Sequence, residues 1–202
     1  MNHSRATRMI SCSILKKEVL HVLKRREGAV DITFLPSSLH NDLDKLSARL
    51  NDAMGRFNAP TVVLYGTCHP QMDKFISHHN AQRIPCQNCI ELLLGAEQYT
   101  QYLADGAFFL LEEWAHSWEK NIAAALGANI AARNALLRDS HQYLLCVNTP
   151  CSRDFSVQAK NIAKQTDLPI RSLDVELNYL ENVFDQILMV GDRSSKGVMR
   201  NE

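Results

Sequence analysis

Four cysteines lie where apolar, strand-like segments of this chain end, and their positions are its most informative chemical feature. Cys12 ends RMISC, Cys68 lies in YGTCHP after the run TVVLYG, and Cys86 and Cys89 form a C-x-x-C pair in RIPCQNCIELLLG. A cysteine thiolate binds zinc or the irons of a cluster, and it also acts as a nucleophile or a redox group. Metal binding, thiol redox chemistry and buried structural thiols are therefore the three interpretations to weigh.

Histidines and carboxylates supply further candidates. His40 follows the second predicted strand and His69 follows the third, so both could reach the same edge of a sheet as the cysteines. After the fifth predicted strand, LLEEW offers Glu112 or Glu113 as a general acid or base, and Glu113 is our candidate. Trp114 either packs in the core or forms a surface for a cofactor.

Apolar runs alternate with amphipathic segments along the chain. The predicted strands are RMISCSI, VDITFLP, TVVLYG, QRIP, AFFLLE, YLLCVN, PIRSLDV and ILMV. Helices are predicted between them, including DLDKLSARLNDAMGRF, SVQAKNIAKQT and a helix that Asn88 and Glu91 begin with a capping-box pattern. The Ala-rich residues 115–140 indicate two helices, or one helix kinked at Gly127.

This alternation predicts an α/β fold, with a mainly parallel sheet covered by helices on both faces as a Rossmann-like three-layer sandwich. We expect one domain over residues 1–202, with the Ala-rich segment as its most independent part and a flexible polar tail at 192–202. Sites in such sheets lie at the carboxyl ends of the strands, so Cys12, Cys68 and Cys89 are expected at one edge.

The individual positions suggest different roles. Gly66 would let the backbone turn tightly and approach a bound group. Cys89 is predicted at a helix N-terminus, where the helix dipole is expected to lower the pKa of its thiol. Cys146, inside YLLCVN, is expected to be a core residue. Because cysteine is often buried, a cysteine-based centre and scattered structural thiols remain equal alternatives from the spacing alone.

Composition limits the class of protein. The chain has 202 residues, with 46% hydrophobic and 22% charged residues and a formal net charge of zero, which is typical of a globular protein and disfavours binding to nucleic acid or membrane surfaces. Its apolar runs are too short for a membrane span and its N-terminus lacks a secretory apolar segment, so we expect a cytoplasmic protein with reduced cysteines. The sequence motifs of dinucleotide, P-loop and α/β-hydrolase sites are missing.

Several segments together resemble the domain of unknown function family 1638. They are CSILKKEV, SSLHNDLDKLSARLNDAM, VVLYGTCHP, NCIELLLGAEQY, GAFFLLEEW and DVELNYLENVF, and the resemblance spans Met9 to Gly191. It implies a cysteine in the first strand, a Tyr-Gly-x-Cys after the third and a cysteine that begins a helix, which map to Cys12, Cys68 and Cys89. An association of the family with methylamine and corrinoid-dependent methyl-transfer proteins implies a role in anaerobic one-carbon metabolism.

The chain departs from the family pattern in two places. The resemblance implies His-Asp before the helix cysteine and glycines after the Tyr-Gly-x-Cys, but this chain has Gln87-Asn88 and His69-Pro70, and it adds Cys86. If the family histidine serves the site, Cys86 or His69 is expected to replace it; the alternative is that this protein has a different function.

Residues and resemblance together predict a metal or iron–sulfur centre, either a [4Fe–4S] cluster or zinc, held by Cys12, Cys68 and Cys89. Cys86 or His69 would be the fourth ligand or support the site. The residues expected around the cofactor are Tyr65, Gly66, His40 and Trp114, and those expected in catalysis are His69 and Glu113.

The predicted function is that of a metal- or iron–sulfur-dependent enzyme, a transferase or lyase, in anaerobic one-carbon, methyl or sulfur metabolism. Its partner would be a small-molecule substrate or a corrinoid or methyl-transfer protein, and it could form a homodimer. Two alternatives stay open. One is a non-catalytic carrier or chaperone for a metal, corrinoid or haem-like cofactor, and the other is a thiol-redox protein that uses Cys86 and Cys89.

Overall fold

Parallel strands form the framework of the chain. The computed structural model describes residues 6–26, 30–56 and 60–196, and its internal contacts divide the chain into a first unit, Met1–Leu92 with Leu177–Glu202, and a second unit, Leu93–Glu176. Every strand pair between the described residues is parallel. The predicted α/β class is confirmed, but the strands form two sheets where the sequence indicated one.

The first unit contains a four-stranded sheet and its helices. Its elements are β1 (Thr7–Cys12), α1 (Lys16–Leu23), β2 (Val30–Leu35), α2 (Leu43–Gly55), β3 (Thr61–Leu64), α3 (Met72–Ser77), β4 (Ala81–Arg83), the start of α4 (Cys89–Leu94), and α10 (Asn178–Lys196). Short 3₁₀ helices at Ser13–Leu15 and Ser37–Asn41 follow β1 and β2.

The strand order β2-β1-β3-β4 places β1 and β3 in the centre of this sheet. All four residues of β3 are buried, as are the last four of β1, which explains their apolar runs. Because parallel crossovers are right-handed, α1 lies on one face of the sheet and α2 and α3 lie on the other. The direction of winding changes between β1 and β3, and ligands of open α/β sheets bind at such a switch point.

Helix α2 shows how the sequence pattern produces its element. Leu46, Leu50 and Met54 recur every four residues and are all buried, so one stripe of the helix packs on the sheet. The Asp42 carboxylate accepts a hydrogen bond from the Lys45 N–H at 3.0 Å and caps the helix.

The second unit contains a three-stranded sheet in the order β5-β6-β7. Its elements are α5 (Ala96–Ala104), β5 (Ala107–Leu110), α6 (Glu112–His116), α7 (Trp118–Leu126), α8 (Ile130–Ser140), β6 (Tyr143–Asn148), α9 (Ser156–Thr166) and β7 (Ile170–Asp174). The predicted break at Gly127 is present, since this residue ends α7 with a φ of +88°. Cys146 is 6% exposed in the core of this unit, as expected.

Three expectations need correction. The run ILMV is not a strand but part of α10, because its apolar residues continue the helical spacing of Leu180 and Phe184. The predicted tail at 192–202 is helical as far as Lys196, and its last residues lie outside the described part of the chain. The helix that begins after Asn88 is divided at Gly95, whose φ of +79° separates α4 from α5. No helix of the described residues combines the length and apolar character needed to cross a bilayer.

Candidate metal centre

A cavity of about 20 Å³ lies in the first unit, at the carboxyl edge of its sheet. Cys12, Cys68 and Cys89 all line this cavity. The first is the last residue of β1, the second lies in the loop after β3, and the third begins α4 after β4. The structure thus brings together the three thiols that the alternation of strands and helices predicted at one edge.

Tyr65, Gly66 and His40 also line the cavity, each near the carboxyl end of a strand. The Tyr65 and His40 rings stack with their planes at 16° and their centroids 6.0 Å apart. These three residues were predicted around the cofactor, and the structure places them beside the thiols.

A close backbone approach joins the two loops that carry Cys68 and Cys89. A Cβ atom at Gly66 would lie 2.0 Å from the Gln87 carbonyl oxygen, so only glycine fits here. The Thr67 N–H donates to that same carbonyl oxygen at 2.8 Å, and the Thr67 hydroxyl donates to it at 3.1 Å. The glycine before Cys68 therefore lets one cysteine loop rest on the other.

The segment before Cys89 is fixed by side chains of the helix start. The Asn88 Oδ1 atom accepts hydrogen bonds from the Ile90 N–H at 3.0 Å and the Glu91 N–H at 3.1 Å. The Glu91 carboxylate, which is buried, accepts from the Gln87 N–H at 3.0 Å. The predicted capping pattern is present, with the carboxylate reaching one residue further back than in the usual capping box.

Arg83 is the residue of this region that the sequence interpretation missed. Its Nη1 donates to the carbonyl oxygens of Ile84 at 3.1 Å and Cys86 at 2.9 Å, and its Nε donates to Asp73 Oδ1 at 3.0 Å. Its positive charge also lowers the pKa of the Cys68 and Cys86 thiols in part. The sequence signal that could have identified Arg83 is its position three residues before Cys86, the first cysteine of the C-x-x-C pair.

The thiols of Cys68, Cys86 and Cys89 are held in their neutral form. Burial raises the pKa of Cys68, and burial followed by the charge of Glu91 raises the pKa of Cys86 to about 12. The pKa of Cys89 is also raised, by burial first and then by the neighbouring thiols of Cys12 and Cys68. The expected lowering at the helix N-terminus is therefore wrong, since a six-residue helix offers too little to offset the loss of water around the sulfur.

Tyr65 carries a buried hydroxyl that makes no regular hydrogen bond within the described residues. Burial raises its pKa, and the nearby thiols of Cys12, Cys68 and Cys89 raise it further. Of the three thiols, that of Cys12 has the largest effect on this pKa. An unsatisfied polar group beside three thiols indicates a site arranged for something other than the neutral side chains alone.

The remaining predicted residues lie elsewhere. Cys86 is buried but does not line the cavity. His69 accepts a hydrogen bond at Nδ1 from the Gln71 N–H at 3.0 Å and packs on Phe75, outside the cavity lining. Glu113 and Trp114 belong to α6 of the second unit and are not among the lining residues, and Trp114 is 36% exposed.

The cysteine side chains line the cavity without standing at metal-ligand distances from one another. All six cysteines are thiols rather than disulfides, and in the described ranges no three Cys, His, Asp or Glu side chains are arranged to hold an ion as they stand. In the second unit, Cys146 lines a separate cavity of about 240 Å³ between α9 and the sheet, and burial alone raises its pKa. It has no role in the first cavity.

Comparison with known proteins identifies a family but no function. No curated protein and no solved structure is significantly similar to the chain. A family model described as a protein of unknown function, DUF1638, matches residues 34–184, about three quarters of the chain. The segments with Tyr65, Cys68 and Cys89 fall inside this match, and Cys12 precedes it. The chain therefore belongs to the DUF1638 family.

Proposed function

We propose that this protein binds one soft metal ion, of which Zn²⁺ is the best candidate, through the thiolates of Cys12, Cys68 and Cys89. The single observation that carries the proposal is the meeting of these three thiols, from three different strand ends, around one cavity at the switch point of a parallel sheet.

The size of the cavity favours a single ion over a cluster. About 20 Å³ is the room of one water molecule, whereas a [4Fe–4S] cluster is several times larger. Zinc is also suited to thiolate ligands in a tetrahedral arrangement. Of the two cofactors that the sequence predicted, zinc is the one we propose.

The groups around the thiols can stabilise the thiolate form when a bound ion offsets most of its negative charge. The backbone N–H groups of Gly66 and Cys68 face the Cys68 sulfur and lower its pKa in part, and Arg83 adds a positive charge nearby. Three thiolates around Zn²⁺ leave one net negative charge, which the guanidinium of Arg83 can balance. Loading would rotate the cysteine side chains inward and release their protons, because only the deprotonated sulfur binds a metal.

The three thiolates would leave one coordination position of the ion, and the group that fills it decides whether the ion serves as a Lewis acid or as a structural centre. The residues around it have simpler tasks. Gly66 and Asn88 hold the cysteine loops in place, and the buried Tyr65 hydroxyl can donate to an anionic sulfur or oxygen of the loaded site.

Thiol redox chemistry by Cys86 and Cys89 is the weaker alternative. Such chemistry needs a thiolate near neutral pH, and both of these pKa values are raised, that of Cys86 to about 12. A pair of neutral thiols, of which Cys86 is buried and Cys89 partly buried, is a poor nucleophile. The carrier alternative has no specific contact in its favour.

The test is anaerobic purification with metal analysis, followed by Co²⁺ titration of the stripped protein. We expect one ion per chain, a thiolate-to-cobalt charge-transfer band, and release of protons on binding. Cys12→Ala, Cys68→Ala and Cys89→Ala should each lose the band, while the matched variants Cys146→Ala and Cys151→Ala should keep it. A metal-free wild type with no cobalt band, indistinguishable from Cys68→Ala, would overturn the proposal.

A further inference from the structure

The cavity has a fourth donor besides the thiols. His40 lines it from the 3₁₀ helix Ser37–Asn41, at the carboxyl end of β2. Each of the four strands therefore sends one donor to the cavity, three sulfurs and one imidazole.

The tautomer of His40 follows from its contact with Ser37. Its Nδ1 lies 2.9 Å from the Ser37 carbonyl oxygen. A carbonyl oxygen only accepts, so Nδ1 carries the proton, and the lone pair of the neutral ring is on Nε2. Metal-bound histidines commonly have this arrangement, in which a backbone carbonyl holds one ring nitrogen while the other faces the ion.

Two further contacts hold the ring in place. The Tyr65 ring stacks on it at an interplanar angle of 16°, which fixes the plane of the imidazole. The Ser37 N–H donates to the Ser13 hydroxyl at 2.9 Å, which ties the 3₁₀ helix to the residue directly after Cys12. This hydrogen bond joins the segment of His40 to the segment of Cys12 and so positions the imidazole relative to the Cys12 thiol.

The other two candidates for the fourth position do not line the cavity. His69 uses Nδ1 to accept the Gln71 N–H and its ring contacts Phe75. Cys86 is buried and does not line the cavity, although its thiol lies close enough to that of Cys89 to raise its pKa. In the part of the chain that the structure describes, His40 is the histidine that lines the cavity.

We infer that His40 Nε2 is the fourth ligand, so that the centre is a closed Cys₃His site in which no coordination position is left for a substrate. This inference rests on the proposed function. With room for little more than one ion in the cavity, the closed site resembles structural zinc sites in its ligand count. The ion would then stabilise the fold of the four strand ends, as bound structural zinc does in general.

The test uses X-ray absorption of the Zn²⁺-loaded full chain together with Co²⁺ affinity. We expect three sulfurs and one nitrogen around the zinc in the wild type and in His69→Ala and Cys86→Ala. His40→Ala should lose the nitrogen and bind Co²⁺ about 100-fold more weakly or worse. His40→Cys should restore tight binding with four sulfurs, which a misfolded variant could not do.

The outcomes separate the two claims. If the wild type binds zinc through three sulfurs and one nitrogen, and His40→Ala shows the same nitrogen signal and the same affinity, only the assignment of His40 is overturned. Four sulfurs in the wild type, lost in Cys86→Ala, would overturn it in favour of Cys86. A protein that binds neither zinc nor cobalt would overturn the proposed function itself.

Discussion

The backbone of Gly66 lies against the carbonyl group of Gln87 so closely that a Cβ atom on Gly66 would be 2.0 Å from the carbonyl oxygen and 2.3 Å from its carbon. Atoms of the main chain cannot rotate away as the end of a side chain can. The contact therefore fixes the spacing between the loop of Cys68 and the loop of Cys89. The cavity between these two loops depends on this contact.

Gly66→Ala should destabilise the protein by about 1–3 kcal/mol or more, because the two loops must separate to admit the methyl group. The same separation should weaken Co²⁺ binding. Urea denaturation and cobalt titration measure the two effects.

Gly55→Ala is the matched control. Among the described residues, a Cβ there would meet only the His79 Cε1 atom at 3.7 Å, an ordinary contact, and Gly55 is the last residue of a helix. Alanine favours the helix over glycine, so we expect unchanged or slightly higher stability and unchanged cobalt binding. Equal behaviour of the two variants would show that the Gly66 contact is not tight in solution.

Arg83→Ala should cost about 1.5–3 kcal/mol, because the carbonyl oxygens of Ile84 and Cys86 lose a charged donor. Asp73→Asn tests the ion pair that Arg83 makes through its Nε atom. The Asp73 carboxylate is 78% exposed, so its ion pair with Arg83 should contribute less than about 1 kcal/mol. Urea denaturation of both variants compares their losses of unfolding free energy. A larger loss in Asp73→Asn than in Arg83→Ala would contradict the prediction.

The sequence predicted which cysteines would meet, because the alternation of strands and helices determines which loops share a sheet edge. Cys12, Cys68 and Cys89 are brought to one cavity for that reason. The alternation could not show that the strands divide into two sheets, since strand order depends on long-range packing. The short run ILMV was ambiguous because four apolar residues fit a strand or a buried helix turn equally well.

The chemical details of the site were less accessible from sequence. His69 follows Cys68 directly, yet its ring turns back to Gln71, whereas His40, distant in sequence, reaches the cavity. The direction of the Cys89 pKa shift depends on how many atoms surround the sulfur, which no local pattern records. Adjacency in sequence is a poor guide to where a side chain points.

Tyr65→Phe should stabilise the metal-free protein by about 1 kcal/mol, because it removes a buried hydroxyl without a regular partner. Tyr143→Phe is the matched variant in the second unit, where another buried hydroxyl also lacks a partner among the described residues. Both should gain stability in urea denaturation with a chelator present. Only Tyr65→Phe should weaken Co²⁺ binding, and equal cobalt affinities in both variants would show that Tyr65 does not serve the site.

The buried thiols predict that stability falls in alkali. The folded-state pKa of Cys86 is about 12, above its unfolded value of 9.0, so between these values the unfolded chain has lost a proton that the folded chain keeps. Stability from this thiol is complete below pH 9 and is lost as the pH rises toward 12, at up to about 1.4 kcal/mol per pH unit.

Between pH 8 and pH 10, the free energy of unfolding of Cys86→Ala should therefore fall by about 1.4 kcal/mol less than that of the wild type. Urea denaturation with reductant and chelator present measures this difference. The variant starts from a lower stability because it leaves a small cavity, so the comparison is between slopes and not between absolute values. Gly55→Ala should keep the wild-type slope. Parallel curves for Cys86→Ala and the wild type would mean that the thiol is hydrated in solution, and that this edge of the sheet is more open than its buried cysteines indicate.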